Sequence, residues 1–370
     1  MNRLYFTDVA VGLLFLVTGC GDQSPLSFNN QSGLTTGDPN GPVRVYFTTP
    51  NDKNSRTNPN NPANVLAGYI KRAAQTIDVC GYEINNQVIV DALVEAVKRG
   101  VKVRCVTDTD NVNESGITAL KAVGVPVVDD QRQPIMHNKF MVFDNKSVWM
   151  GSMNFTENCA YRNNNNGIYI DDARIAENYA TKFKWLFVDH KFGGPVKQKE
   201  KIPNPVVRLA DGTIMENYFS AHDHIANHII EHLQTAKSSI HFLAFSFTHK
   251  GMGQAMLDRA KTGVPVQGVF EKSQVTSSGK YSQYYGFKGA GPGVQVFLDA
   301  NPRNMHHKVI VMDGELTVAG SFNFSDGADK DNDENVVIML NRSIAQKFEE
   351  EFQRVYGEAR SAAGSLTAQR

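Results

Sequence analysis

A duplicated motif constrains the fold of this 370-residue chain more than any other feature. His137-Asn138-Lys139-Phe140-Met141-Val142-Phe143-Asp144 returns as His306-His307-Lys308-Val309-Ile310-Val311-Met312-Asp313, each copy reading His-x-Lys, four residues, Asp. Both copies are followed by Gly-Ser-x-Asn-Phe, at Gly151-Ser152-Met153-Asn154-Phe155 and Gly320-Ser321-Phe322-Asn323-Phe324. The partners are all 169 residues apart. A constant offset of this kind is the mark of an internal duplication.

The residue types explain why the spacing matters. Residues 140–143 and 309–312 are apolar runs that read as buried strands. Side chains alternate faces along a strand, so His137 and Lys139 point to one side, as do His306 and Lys308. Ser152 and Asn154, and likewise Ser321 and Asn323, sit two apart on a following strand. One face of each half thus offers an imidazole, an ammonium, a hydroxyl and a carboxamide. That set suits a phosphate: Lys and Asn bind its oxygens, while His attacks phosphorus or moves a proton.

Around the motifs, residues 43–47 read as a first strand and 51–62 as a loop rich in Asn and Pro. A helix follows to about Gln75, then a strand at 77–82. Val88, Ile89, Ala92, Leu93, Ala96 and Val97 mark the buried face of an amphipathic helix ended by Arg99-Gly100, and 101–106 is the next strand. The second half retraces the path with strands at 214–219, 240–247 and 264–270 and helices at 223–235 and 252–261. Ala236-Lys237-Ser238-Ser239-Ile240 echoes Ala73-Ala74-Gln75-Thr76-Ile77 at an offset of 163, the loops absorbing the difference from 169. This alternation predicts an α/β protein whose sheets are mainly parallel and covered by helices. A last helix, 344–356, precedes a small-residue tail expected to fray.

Lys+Arg and Asp+Glu balance at 38 each, so overall charge gives no support to a strong nucleic-acid binder, although a local basic cleft is compatible with it. Hydrophobic content of 41% and charged content of 21% suit a soluble, well-packed protein. At the N-terminus, Arg3 precedes an apolar stretch, 9–17, too short to span a bilayer. It ends in Leu16-Val17-Thr18-Gly19-Cys20, which resembles a bacterial lipoprotein signal with Cys20 as the lipidated residue. A secretory signal with an incidental cysteine is the other reading. Gly21 after Cys20 points to outer-membrane sorting in a Gram-negative cell, hence to a protein of the cell envelope. The expected organisation is a signal peptide at 1–19, lipidated Cys20 and a flexible tether at 20–42, one repeat at 43–192, a linker at 193–205, a second repeat at 206–360 and a tail at 361–370. Cys80, Cys105 and Cys159 cannot all pair within one chain.

The paired motifs resemble the phospholipase D superfamily, over nearly everything from Val43 to Tyr356. The resemblance implies two α/β/α repeats about a pseudo-twofold axis, with both motifs meeting in one active site and the halves pairing within a monomer. It implies a two-step reaction through a phosphohistidine with no metal and no cofactor. The implied catalytic set is His137, Lys139, Asp144, His306, Lys308 and Asp313, the two aspartates supporting the motif rather than reacting. Ser152, Asn154, Asn165, Ser321, Asn323 and Glu334 are the implied phosphate-binding or orienting residues. Thirteen residues after the motif serines stand Asn165 and Glu334, where the family usually has a carboxylate for the imidazole of its own half. On that pairing His306, next to Glu334, is the better proton donor, and His137, next to an amide, is neutral and nucleophilic.

Other candidates carry plainer readings. His224, His228 and His232 recur every four residues on a predicted helix, but the adjacent stripe Ile225, Ile229, Leu233 makes an amphipathic helix a sufficient explanation. His307 faces away from the site and reads as structural. Tyr82 and Phe247 end equivalent strands and read as core. For the substrate, a lipid anchor and neutral surface favour a phospholipid of the phosphatidylcholine or cardiolipin type. Nucleic acid is the alternative, with Lys272, Lys280, Lys288, Arg303 and Lys330 placed to ring a phosphate-bearing cleft. A cardiolipin-forming transferase and a non-catalytic lipid-binding scaffold are weaker readings.

Overall fold

The computed structural model describes residues 41–50, 52–193 and 201–368. The expected signal peptide, Cys20, nearly all of the tether and residues 194–200 of the linker lie outside them.

The first half runs β1 (Val43–Phe47), α1 (Pro62–Arg72), β2 (Thr76–Gly81), α2 (Gln87–Lys98), β3 (Lys102–Thr107), α3 (Ser115–Ala122), β4 (Val127–Asp129), β5 (Lys139–Phe143), β6 (Ser147–Gly151), α4 (Glu157–Tyr161), β7 (Asn166–Ile170) and α5 (Ala173–Phe187). The second runs β8 (Val206–Arg208), β9 (Ile214–Phe219), α6 (Ile225–Thr235), β10 (Ile240–Ala244), α7 (Lys250–Lys261), β11 (Val266–Phe270), α8 (Lys272–Ser278), α9 (Tyr284–Lys288), β12 (Val294–Leu298), β13 (Lys308–Met312), β14 (Leu316–Gly320), α10 (Asp326–Lys330), β15 (Asn335–Leu340) and α11 (Arg342–Ala368). Helix boundaries follow local chemistry. Asn61 caps the amide of Ala63 with Pro62 just inside α1, and Arg99-Gly100 closes α2, Gly100 at φ +88°.

Each half forms one sheet, in the orders β1-β7-β6-β5-β2-β3-β4 and β12-β11-β10-β13-β14-β15-β9-β8. The sheets are mixed, and the expected parallel majority does not hold. Parallel pairing is confined to β2-β3-β4 and β10-β11-β12, where helices cross over; the remaining pairs are antiparallel. The reason is the turn that ends each motif. Asp144 and Asn145 have φ of 52° and 54°, and Asp313 and Gly314 have 57° and 64°. Two successive left-handed residues make a tight hairpin, which joins only antiparallel strands.

Helices α1 to α3 pack on the outer face of the first sheet, and α6, α7 and α9 on that of the second. Between the sheets lies one shared core, to which α5 brings Tyr179 and Phe183 and α11 brings Phe348, Phe352 and Val355. Helix α11 continues through the small-residue segment to Ala368, beyond the expected end at Tyr356, with Ala359 fully buried in the shared core. Cys80 faces that core and Cys105 the outer one, which fits the opposed faces of neighbouring strands; with Cys159 they are free and buried.

Candidate active site

The two motif histidines enter the site from matching positions, just ahead of β5 and β13. Each half feeds a short bridge into the other: Met136 pairs with Asp333 and Asn164 with Met305. The amide of His137 donates to the carbonyl of Asp333 at 3.0 Å, and that of His306 to the carbonyl of Asn164 at 2.9 Å. These bridges set each histidine beside the residue following its partner, Glu334 in one case and Asn165 in the other.

The pairing is therefore crossed, contrary to the own-half pairing expected from the sequence. His137 Nδ1 lies 2.8 Å from both carboxylate oxygens of Glu334. His306 Nδ1 lies 2.9 Å from Asn165 Oδ1 and 3.1 Å from the carbonyl of Ser152. These neighbours accept hydrogen bonds, so both rings carry their proton on Nδ1 and present the Nε2 lone pair. His137 and His306 are each 5% exposed.

The motif serines hold the orienting groups rather than facing a phosphate. Ser152 Oγ donates to Asn165 Oδ1 at 3.0 Å and accepts from the amide of Asn166. Ser321 Oγ donates to Glu334 Oε2 at 2.6 Å and accepts from the amide of Asn335. Both serines and their asparagines lie just past the ends of β6 and β14, not on a strand as expected. The motif glycines permit this approach. A Cβ on Gly151 would come within 2.5 Å of the carbonyl of Asn166, and one on Gly320 within 2.2 Å of that of Asn335.

Lys139 and Lys308 are buried beneath the imidazoles, their ammonium groups donating to the carbonyls of His137 at 2.6 Å and His306 at 2.8 Å. Burial pushes Lys139 down to about 8 and Lys308 well below its usual value, the latter also repelled by Lys139. Burial drives His137 down to about 4 even though the Glu334 carboxylate pulls the other way. His306 falls well below the ordinary histidine range through burial and then the charges of Lys308 and Lys139, with His137 next. The two rings thus sit within electrostatic reach of each other, as one reaction centre requires. Burial would raise Glu334, but the Nδ1–H of His137 and the Lys139 ammonium outweigh it and hold the carboxylate below its usual range.

Asp144 and Asp313 do not reach the imidazoles. Asp144 accepts from the amides of Ala74, Gln75 and Thr76, and Asp313 from those of Lys237, Ser238 and Ser239, fastening each hairpin to the start of β2 or β10. Among the described residues, Asn154 and Asn323 each carry a buried Oδ1 with no partner, and Asn154 Nδ2 donates to Glu83 at 2.8 Å. His307 is structural: Nε2 meets Glu351 at 2.9 Å and Nδ1 meets Asn166 Nδ2 at 3.0 Å. On α6 the histidines do not converge, since His228 stacks on Tyr218 and His232 bonds Glu216.

Two aromatic rings flank the imidazoles: Tyr82, which the sequence reading took as core, and Phe245, which it passed over. The Tyr82 ring lies 5.1 Å from that of His137, and Phe245 lies 4.5 Å from His306. The lysines sit over the same rings, Lys139 at 5.4 Å and Lys308 at 4.4 Å. Phe245, not Phe247, is the counterpart of Tyr82, as the 163-residue offset specifies. Phe247 is core.

Residues 66–187 and 229–356 match the family described as cardiolipin synthase, PLD-like domain. The chain belongs to this phospholipase D-like family. The two matches coincide with the two halves, so each half is a PLD-like unit. A mitochondrial cardiolipin hydrolase of Chlamydomonas reinhardtii is 30% identical over 121 residues, 32% of this chain and 54% of that protein. A phospholipase D of Rickettsia felis is 37% identical over 123 residues, 33% of this chain and 60% of that protein. The chain thus spans between half and two thirds of the length of these relatives. The structure of phosphatidylserine synthase from Haemophilus influenzae Rd KW20 superposes with a TM-score of 0.61 at 12% identity, over 80% of this chain and 84% of that one. At that identity it supports the PLD-like fold with its two repeats, and nothing finer.

Proposed function

We propose that this PLD-like protein hydrolyses the headgroup phosphodiester of a phospholipid through a phosphohistidine on His137. The observation that carries the reading is the pair of buried imidazoles, each held by Nδ1 and, among the described residues, without a hydrogen-bond partner at Nε2. His137 Nε2 attacks phosphorus; the bond to the leaving oxygen breaks, and that oxygen takes a proton from His306, which the bound substrate anion helps to charge. His306 then takes a proton from water, whose oxygen displaces His137 and releases the phosphate monoester. Attack leaves positive charge on the His137 ring, and Glu334 is the group that stabilises it. His306 must gain and lose a proton in each cycle, and a neutral Asn165 resists neither change. His137 therefore keeps the nucleophilic role expected from the sequence, for a reason opposite to the one given there. Lys139, Lys308, Asn154 and Asn323 supply the positive charge and amide dipoles for the non-bridging oxygens.

A nucleic-acid substrate is the second reading, favoured by Lys272 and Arg303 lining one groove of about 480 Å³. Lys330 supports it less, being tied to Asp326. Among the described residues no helix is long and apolar enough to cross a membrane. Attachment to the envelope through lipidated Cys20 is part of the proposal, and Cys20→Ser is expected to move the protein from the membrane to the soluble fraction.

The deciding assay presents wild type, His137→Asn and His306→Asn with phosphatidylcholine, cardiolipin and single-stranded DNA in chelator. Lipid hydrolysis by wild type alone supports the proposal. Cleavage of DNA alone replaces it with the second reading, and dependence on added metal removes the metal-free mechanism.

A further inference from the structure

The two halves differ in one connection that their shared fold does not need. Thr107 and Asp129 are register partners of β3 and β4, and Phe270 and Leu298 hold the same places in β11 and β12. Across that connection the offset between halves grows from 163 to 169, so six residues enter the second half there. The longer connection carries Lys272, Lys280, Tyr281, Tyr284, Tyr285 and Lys288, with no Asp or Glu between Lys272 and Leu298. Its shorter counterpart carries Asp108, Asp110 and Glu114 and no aromatic residue.

The segment is anchored from within and bare outside. Phe287 is fully buried and fastens α9 to the outer core of the second half, and Tyr284 packs edge-on against Phe270. Tyr281 and Tyr285 are 62% and 56% exposed, and no other Phe, Tyr or Trp among the described residues is exposed. Lys272, Lys280 and Lys288 are exposed as well. Lys261 and Lys330 pair with Asp258 and Asp326, but none of these three lysines forms an ion pair among the described residues. Instead Lys280 lies over the ring of Tyr281 at 5.4 Å and Lys288 over that of Tyr284 at 5.8 Å. Lys272 lines the groove it shares with Arg303, and with Tyr284 it lines a second cavity of about 470 Å³. Both are bounded by Asn301 and Pro302, on the loop that leads to His306.

Exposed tyrosine beside unpaired lysine is the side-chain combination that a membrane interface favours. The ring is apolar in its body and polar at its tip, and the ammonium is drawn to anionic headgroups. We infer that residues 280–288 seat the protein on a bilayer containing anionic phospholipid and so bring the loop before His306 to the membrane. The inference rests on the lipid reading above and adds the surface through which a bilayer is met. Neither Tyr281 nor Tyr285 lines either cavity, which suits a flat membrane surface better than a nucleic-acid strand tracked along a groove. Each lysine near such a surface contributes about 5-fold to partitioning.

The test sediments the full chain, with Cys20→Ser in every protein, with vesicles of phosphatidylcholine alone or mixed with phosphatidylglycerol. The parent protein is expected to bind the mixed vesicles more tightly. Lys280→Gln with Lys288→Gln is expected to lower that partitioning about 25-fold. Lys98→Gln with Lys102→Gln, an equal charge change at exposed positions of the first half, is expected to leave it unchanged. Tryptophan at the docked positions, Tyr281→Trp and Tyr285→Trp, is expected to be quenched by brominated lipid, and Val188→Trp is not. Equal losses in the two lysine pairs, with melting temperatures like the parent, overturn the inference, as does absence of quenching at 281 and 285. Binding of single-stranded DNA through Lys280 and Lys288, with vesicles left unbound, also overturns it, in favour of nucleic acid. Hydrolysis of monomeric short-chain phosphatidylcholine by a parent protein that binds no vesicle overturns this inference alone. Vesicle binding through these residues without hydrolysis of any phospholipid overturns the hydrolytic reading and not the docking.

Discussion

His137 and Glu334 stand 197 residues apart in the chain, yet the imidazole Nδ1 lies 2.8 Å from both oxygens of the carboxylate. Neither half orients its own motif histidine, because each ring is held by the opposite repeat. The Glu334→Gln variant keeps the shape but removes the charge facing the phosphoimidazole proposed for His137. Its kcat is expected to fall about 100-fold, with phosphoenzyme formation slowed in single-turnover experiments. An unimpaired rate of phosphoenzyme formation would contradict the assigned role.

The pH behaviour follows from the two imidazoles. With His137 down at about 4, kcat/KM falls on the acid side only as the pH approaches that value. On the alkaline side it declines as His306, held well below its usual range, loses the proton it must donate. Asn165→Asp places a carboxylate on His306 Nδ1 and is expected to move the alkaline limb upward by at least a unit. For stability the sign is set by the unfolded chain, whose histidines titrate near 6.5. Above that value both states are neutral and nothing changes. As pH falls from about 6.5 towards 4, the unfolded state takes up protons that folded His137 does not, so stability is lost across that window. Melting curves from pH 7 to 4 check this.

Asp144 separates structural from chemical roles within the motif. It accepts three backbone hydrogen bonds at 2.7–2.9 Å and occupies a left-handed turn position at φ 52°. Asp144→Ala is expected to cost about 1–3 kcal/mol in urea denaturation, while kcat of the folded fraction stays within a few-fold of wild type. Asp144→Asn, which tolerates the same backbone conformation, is expected to lose less.

Glu351 tests the buried link to α11. Its side chain is 1% exposed and pairs with His307 at 2.9 Å and Arg354 at 2.7 Å. Glu351→Gln leaves Arg354 without its buried counter-charge and is expected to destabilise by about 3 kcal/mol. Denaturant midpoints report the loss, and a fall in kcat of the folded fraction beyond a few-fold would assign His307 more than a structural part.

Local order was legible in the chain because it depends on neighbours. The duplicated motifs, the amphipathic faces of α2 and α6 and the strand order of residue types all appear as periodicity. The hairpins at Asp144-Asn145 and Asp313-Gly314 went unread, and the strand–helix alternation upstream suggested too much parallel pairing. The sequence by itself determined that two like halves each carry an imidazole, a lysine and their supporting polar groups. Only the tertiary structure decided which half orients which ring, because the short bridges Met136 to Asp333 and Asn164 to Met305 form between halves. Pairing across an interface leaves no spacing rule along the chain.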